Sequence, residues 1–323
     1  MNMSRFAIPL DSIPVGVSAC LLGAKVRFDG GHKRDAFIDE VLGGYFRLLP
    51  FCPEVAVGMG TPRPPIRLVG AEDAPRAVGI RNPGLDYSLP LRAYGERVGR
   101  THDELCGFIL KKGSPSCGLE RVKVYTEQGM PHAQGRGLFA DELVRHQPLL
   151  PVEEEGRLHD PVLRENFITR VYVYARWRAF RQQGLSKAGL VDFHACHKLV
   201  LMAHNPQGYR ELGRLVARTG LEPLADLAER YIERLMALLR QRATRNRHVN
   251  VLQHLSGYLR ERLDPEDRAE LHDSIETYRR GDVPLVVPMT MLQHHFRRHP
   301  HSYIERQVYL QPHPREMGLR NAL

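Results

Sequence analysis

Three cysteines stand where an apolar run gives way to a loop. Cys20 closes Ile13-Pro14-Val15-Gly16-Val17-Ser18-Ala19, Cys52 follows Leu48-Leu49-Pro50-Phe51, and Cys117 ends Gly113-Ser114-Pro115-Ser116, the loop after Gly107-Phe108-Ile109-Leu110. Ligand sites in a parallel α/β sheet form outside the carboxyl ends of the strands, so three runs ending this way deliver three thiols to one place. The spacing C-x31-C-x64-C has none of the close pairs of a zinc site. It fits an iron–sulfur cluster, whose usual four thiolates would here be three, leaving one iron open as a thiophilic Lewis acid. Glu54 lies two residues past Cys52 with Pro53 between them, placed to act as a general acid, a base or a nucleophile, or else to cap the next helix. Ser114 and Ser116 flank Pro115 ahead of Cys117, where their hydroxyls relay protons, bind a substrate or build the turn. The stiff segment Thr61-Pro62-Arg63-Pro64-Pro65-Ile66-Arg67 is a rigid connector, or a strut that aims Arg63 or Arg67 at a substrate. Cys106 precedes its strand and Cys196 lies within a helix, so both are expected to be structural.

The elements that must position these groups read as strands alternating with helices over residues 13 to 126, the pattern of a parallel sheet flanked by helices and Rossmann-like in type. Helical spacing covers Arg34 to Leu42 and Tyr87 to Leu105, a fourth strand is expected over Val122 to Thr126, and a short helix over Leu138 to Arg145. Pro148, Pro151 and the acidic run Glu153-Glu154-Glu155 look like a boundary. The expected domains are therefore α/β over 1–150 and all-α over 151–323. Asp160-Pro161 reads as an N-cap followed by proline at the first helical position, and helical segments continue to Arg280. The piece Pro284 to Pro288 is strand-like.

The chain has 323 residues, five cysteines and a formal charge of +9, and +6 of that charge falls after residue 150. An odd cysteine count without an export signal argues against a disulfide framework and for a reducing compartment, so a cytoplasmic protein is expected, with no membrane span. The basic excess suits a polyanion, of which nucleic acid is the commonest. Candidate phosphate contacts are Arg240, Arg242, Arg245 and Arg247 at one helix junction, and Arg297 and Arg298 in a later run where an aromatic is interleaved with cations. His194, His197 and His204 share a helix face. They read as buried histidines beside an anion-facing surface rather than as a metal site.

Ser18-Ala19-Cys20-Leu21-Leu22-Gly23, Arg27-Phe28-Asp29-Gly30, Cys52-Pro53-Glu54-Val55, Gly60-Thr61-Pro62-Arg63-Pro64 and Gly113-Ser114-Pro115-Ser116-Cys117-Gly118 together resemble the motifs of the thiouracil desulfidase (TudS) family. The helical half, with Phe193-His194-Ala195-Cys196-His197-Lys198 and Tyr309-Leu310-Gln311-Pro312, is similar to the YbgA family. Fused, the two resemble the RudS desulfidases that act on 4-thiouridine in tRNA. This resemblance implies a 4Fe-4S cluster on Cys20, Cys52 and Cys117, non-redox desulfuration with sulfur left on the open iron, a catalytic glutamate at Glu54 and a catalytic serine at Ser114 or Ser116. Thiolated tRNA is the expected partner, and no protein partner is expected. Desulfuration of free thiouracil, and a cluster-bearing nucleic-acid sensor without turnover, are the alternatives.

Overall fold

The computed structural model describes residues 13–323, which fall in two compact units divided between His159 and Asp160. In the first unit the chain runs β1 (Pro14–Ser18), β2 (Arg47–Phe51), α1 (Pro53–Ala56), β3 (Ile66–Val69), β4 (Arg76–Gly79), α2 (Ser88–Thr101), β5 (Gly107–Leu110), β6 (Val122–Tyr125), β7 (Pro131–Gly135), α3 (Leu138–His146) and β8 (Val152–Glu154). A wholly parallel sheet has the order β2-β1-β5-β8, so the three strands that lead to the cysteines are neighbours pointing one way. All five residues of β1 are buried, as befits a central strand covered on both faces. Gly16 makes that position possible, because a Cβ there would lie 2.4 Å from the Phe108 ring of β5. Phe108 in turn packs on Phe51 and Phe139, at centroid distances of 5.2 and 5.8 Å.

Four expectations need correction. The strand over Val122 to Tyr125 belongs to a second, mixed sheet ordered β4-β3-β6-β7. The fourth parallel strand is the acidic segment Val152–Glu154, which pairs with β5, and the first unit therefore runs past residue 150 to His159. Its carboxylates are buried but occupied: Glu154 accepts from the Leu119 amide at 2.9 Å, and Glu153 from Arg157 Nε at 2.6 Å. Over Arg34 to Leu42 the turn is a short π-helix, Phe37–Val41, tightening into a 3-10 turn. The Pro284 to Pro288 piece opens a helix instead of a strand, since two valines between prolines carry too little pattern to separate the states.

The second unit is helical: α4 (Pro161–Gln182), α5 (Lys187–His204), α6 (Pro206–Val216), α7 (Leu224–Leu239), α8 (Arg245–Gly257), α9 (Pro265–Arg280), α10 (Val286–Arg298) and α11 (Ser302–Glu305). Asp160 caps α4 by accepting from the Val162 and Leu163 amides, as its sequence position suggests. Trp177 and Phe180 of α4, Phe193 of α5 and Tyr231 of α7 form the aromatic core. No described helix is long and apolar enough to cross a membrane.

Six histidines of this unit, His194, His197, His204, His248, His295 and His313, are buried. His194 stacks on Tyr209 and meets Tyr231 Oη at 3.2 Å, while His204 bonds the Gln241 carbonyl at 2.6 Å and His248 the Tyr309 hydroxyl at 2.8 Å. Burial pushes His194 and His313 down to about 4, and His197 and His248 down to about 3. Their folded values lie below the ordinary one, so as pH falls below about 6.5 the unfolded chain binds protons that the folded chain refuses. Stability that is full above this range must decline down to about pH 4, by up to about 1.4 kcal/mol per pH unit for each histidine. Trp177 is the single tryptophan and lies within this unit. Melting temperatures read from its fluorescence are expected to fall steadily between pH 6.5 and 4, and a flat profile would remove these histidines from the unit's stability.

Candidate functional site

Local backbone rules bring each group to the sheet's carboxyl edge. β1 runs directly into a 3-10 turn, Ala19–Leu22, that carries Cys20. Cys52 is the extended residue ahead of α1, with Pro53 starting the helix and Glu54 in its first turn. The loop after β5 is folded by Ser114, whose Oγ accepts from the amides of Ser116 and Cys117 at 3.2 and 3.1 Å. The same loop is clasped by the start of α3, where the Leu138 amide donates to the Pro115 carbonyl and the Phe139 amide to the Ser116 carbonyl, both at 3.1 Å. Gly137 permits this approach, since a Cβ there would lie 2.5 Å from the Ser116 carbonyl.

Cys20, Cys52 and Cys117 all line one cavity of about 380 Å³, within the range of small-ligand sites. Burial raises all three thiols, Cys20 to about 11 despite the pull of Arg27, and Cys117 well above its ordinary value although a hydrogen bond with Ser18 opposes the shift. The thiols also shift one another, as groups facing a common space do. Uncharged and shielded, they are poor nucleophiles toward solvent and suit metal, which displaces the protons on binding. Among the described residues no group of three or more His, Cys, Asp or Glu side chains is gathered closely enough to hold a metal ion. Three thiols on one cavity are the donor set that would hold an iron–sulfur cluster. Cys106 sits at the other end of β5 and Cys196 in α5, both buried.

Glu54 reaches the cavity with both carboxylate oxygens held. Oε1 accepts from Ser116 Oγ at 2.8 Å, and Oε2 accepts from Arg63 Nε at 2.8 Å and Nη2 at 2.5 Å. Arg63 is therefore aimed at the carboxylate and not at open space, and its remaining donors go to the carbonyls of Gly60 and Val26. Arg67 lines a neighbouring groove instead of this cavity. Of the two serines, Ser114 lines the cavity, whereas Ser116 is fully buried behind Glu54. Arg27, Lys33, Lys111 and Lys112 also line the cavity and were missed as site residues. The signal for the lysine pair was its place immediately after a buried strand, where the cysteines also lie.

Residues 15–155 match the family model described as 2-thiouracil desulfurase, and residues 198–314 match a family described as a protein of unknown function, DUF1722. The uncharacterised protein YbgA of Escherichia coli (strain K12) is 32% identical over 159 residues, 49% of this chain and 94% of that protein. The chain carries a 2-thiouracil desulfurase domain followed by a YbgA-like domain. A solved structure described as the 4Fe-4S-dependent thiouracil desulfidase TudS is 32% identical, covering 46% of this chain and 94% of its own, with a TM-score of 0.36.

The desulfurase match ends at residue 155, beyond the edge strand β8. In the YbgA-like domain, two of the six candidate arginines are tied to backbone. Arg245 donates to the Tyr278 carbonyl at 2.7 Å and lies over that ring, and Arg247 donates to the His204 carbonyl, each binding a carbonyl at a helix C-terminal end. Arg240, Arg242, Arg297 and Arg298 are exposed.

Removing Arg63 leaves the mostly buried Glu54 carboxylate without its cation. Arg63→Ala is expected to destabilise the desulfurase domain by about 3 kcal/mol, the low end for breaking a buried pair from one side. Denaturant unfolding measures this, with Arg63→Lys intermediate because it keeps the charge but loses the fork. Loss of less than about 1 kcal/mol would mean that solvent replaces the arginine.

Proposed function

We propose that the chain removes sulfur from 4-thiouridine in tRNA, with a 4Fe-4S cluster held by Cys20, Cys52 and Cys117. The observation that carries this reading is that the three thiols and Glu54 face one cavity. When bound, the cluster supplies an iron without a protein ligand, a Lewis acid that prefers sulfur to oxygen. Exchange of C=S for C=O takes in one water and gives up one sulfide, which leaves the carbon's oxidation state unchanged and needs no electron donor.

The chain's own residues supply orientation and proton transfer. Arg63 and Ser116 hold the Glu54 carboxylate from behind, and its remaining lone pairs serve as base toward a water or as nucleophile toward the carbon that loses sulfur. Ser114 accepts from two backbone amides through Oγ, so its hydroxyl proton is free to be donated into the cavity. Ser18 orients Cys117 and also accepts from the Lys111 amide at 2.9 Å, which ties two of the loops together.

The polymeric substrate is favoured by the charge of +9 and by the exposed arginines of the YbgA-like domain. The description of the desulfurase family favours free 2-thiouracil as the second reading. Anaerobic reconstitution, followed by sulfide release from thiolated tRNA and from free thiouracil, separates them. Cys20→Ala, Cys52→Ala and Cys117→Ala are each expected to lose iron and visible absorbance, while Cys106→Ala and Cys196→Ala keep both. Glu54→Gln is expected to keep the cluster and lose about 100- to 10,000-fold in turnover. Full iron loading in Cys117→Ala would overturn the ligand set, and near-normal turnover in Glu54→Gln would reduce that residue to a cap.

A further inference from the structure

A second cavity, about 350 Å³, opens on the outer face of the mixed sheet and shares Ile66, Gly113 and Pro115 with the cysteine cavity. Strand alternation decides what it presents. Ile66 and Leu68 of β3 and Val122 and Val124 of β6 point into the domain's core, so Arg67, Lys123 and Tyr125 stand on the opposite face. Parallel pairing of β3 with β6 sets them side by side. Arg121 completes the wall from the residue before β6, and no acidic side chain lines the groove.

Charge is what distinguishes this groove from an ordinary sheet face. Among the described residues none of Arg67, Arg121 and Lys123 forms an ion pair, whereas Arg34, Arg76 and Arg92 in the same domain each meet carboxylates. Arg67 Nε is buried without a hydrogen-bond partner, and its guanidinium lies 5.5 Å over the Tyr125 ring. Arg121 is the single described non-glycine residue at positive φ, 57°, a conformation that L-residues adopt at a cost. Unpaired cations beside an aromatic face are what a nucleic-acid strand binds, through its phosphates and by stacking of its bases.

We propose that this groove holds the phosphate and base of the nucleotide next to the thiolated one, so that the desulfurase domain itself favours a polynucleotide over a free base. The inference rests on the desulfuration reading for the identity of the first cavity's occupant. Adjacency of the two cavities supplies the path: a base in the cysteine cavity leaves its neighbour along the strand at the shared wall of Ile66, Gly113 and Pro115.

The test uses the full chain and the double variant Arg121→Gly, Lys123→Ala. Glycine relieves the positive φ, so the variant is expected to melt no lower than the wild type. Binding of a short single-stranded oligoribonucleotide with one 4-thiouridine is titrated against salt, which requires no turnover. The log–log slope is expected to fall by about 0.7 for each phosphate contact removed. With loaded enzyme, KM for the oligonucleotide is expected to rise at least about tenfold, as loss of phosphate contacts implies, while kcat/KM for free 4-thiouracil stays constant. Equal slopes, absence of wild-type binding at low salt, or equal losses on both substrates would overturn the groove's role. Binding that behaves as expected without sulfide release from either substrate would instead sink the desulfuration reading and leave the groove standing.

Discussion

Everything at the site depends on one constraint of the parallel sheet: β2, β1 and β5 must lie side by side and run the same way. Only then do loops separated by 31 and 64 residues meet. The closeness of β1 to β5 is set by a missing side chain, Gly16, which admits the Phe108 ring. That ring is also the hub of the contacts with Phe51, one residue before Cys52, and Phe139, the second residue of the helix that clasps the Cys117 loop. A single aromatic side chain thus links the packing of the core to the placement of two of the three thiols.

The carboxylate is positioned by a different device. Glu54 sits in a four-residue helix, too short to be rigid by itself, and its direction comes from outside. Arg63 arrives from a proline-rich segment and Ser116 from the loop after β5. Two charged side chains are mostly withdrawn from water here, an arrangement that costs desolvation and is sustained by filling nearly every donor of the arginine. Specific orientation of the carboxylate is what this local cost secures.

Much of this was legible in the sequence, and the physical reasons for the failures are specific. Buried parallel strands read as short apolar runs that stop at Gly, Pro and Ser, so the places of Cys20, Cys52 and Cys117 at strand ends were visible. The helical half was visible from its caps and apolar stripes. Arg63 and Glu54 were each singled out, but their pairing was not, because a contact nine residues apart across prolines follows no local period. Strand β8 was hidden by its composition. Two adjacent glutamates imply solvent, and only tertiary partners, the Leu119 amide and Arg157, reverse that inference. The second sheet escaped because parallel pairing of β3 with β6 joins strands more than fifty residues apart.

Strand β8 also carries a lesson about dividing the molecule. Glu154 binds the amides of Leu119 and Glu120, immediately beyond Cys117, and Glu155 holds Lys111 and the Lys112 amide at the start of the same loop. The loop that presents the third thiol is therefore fastened at both ends by the segment that precedes the helical half. A fragment cut at residue 150 would keep the three cavity cysteines, Glu54 and Arg63, yet lose these two fastenings of the loop. A fragment that keeps these fastenings therefore extends through Glu155, so the acidic segment belongs with the thiol-bearing loop and not with the connection to the helices.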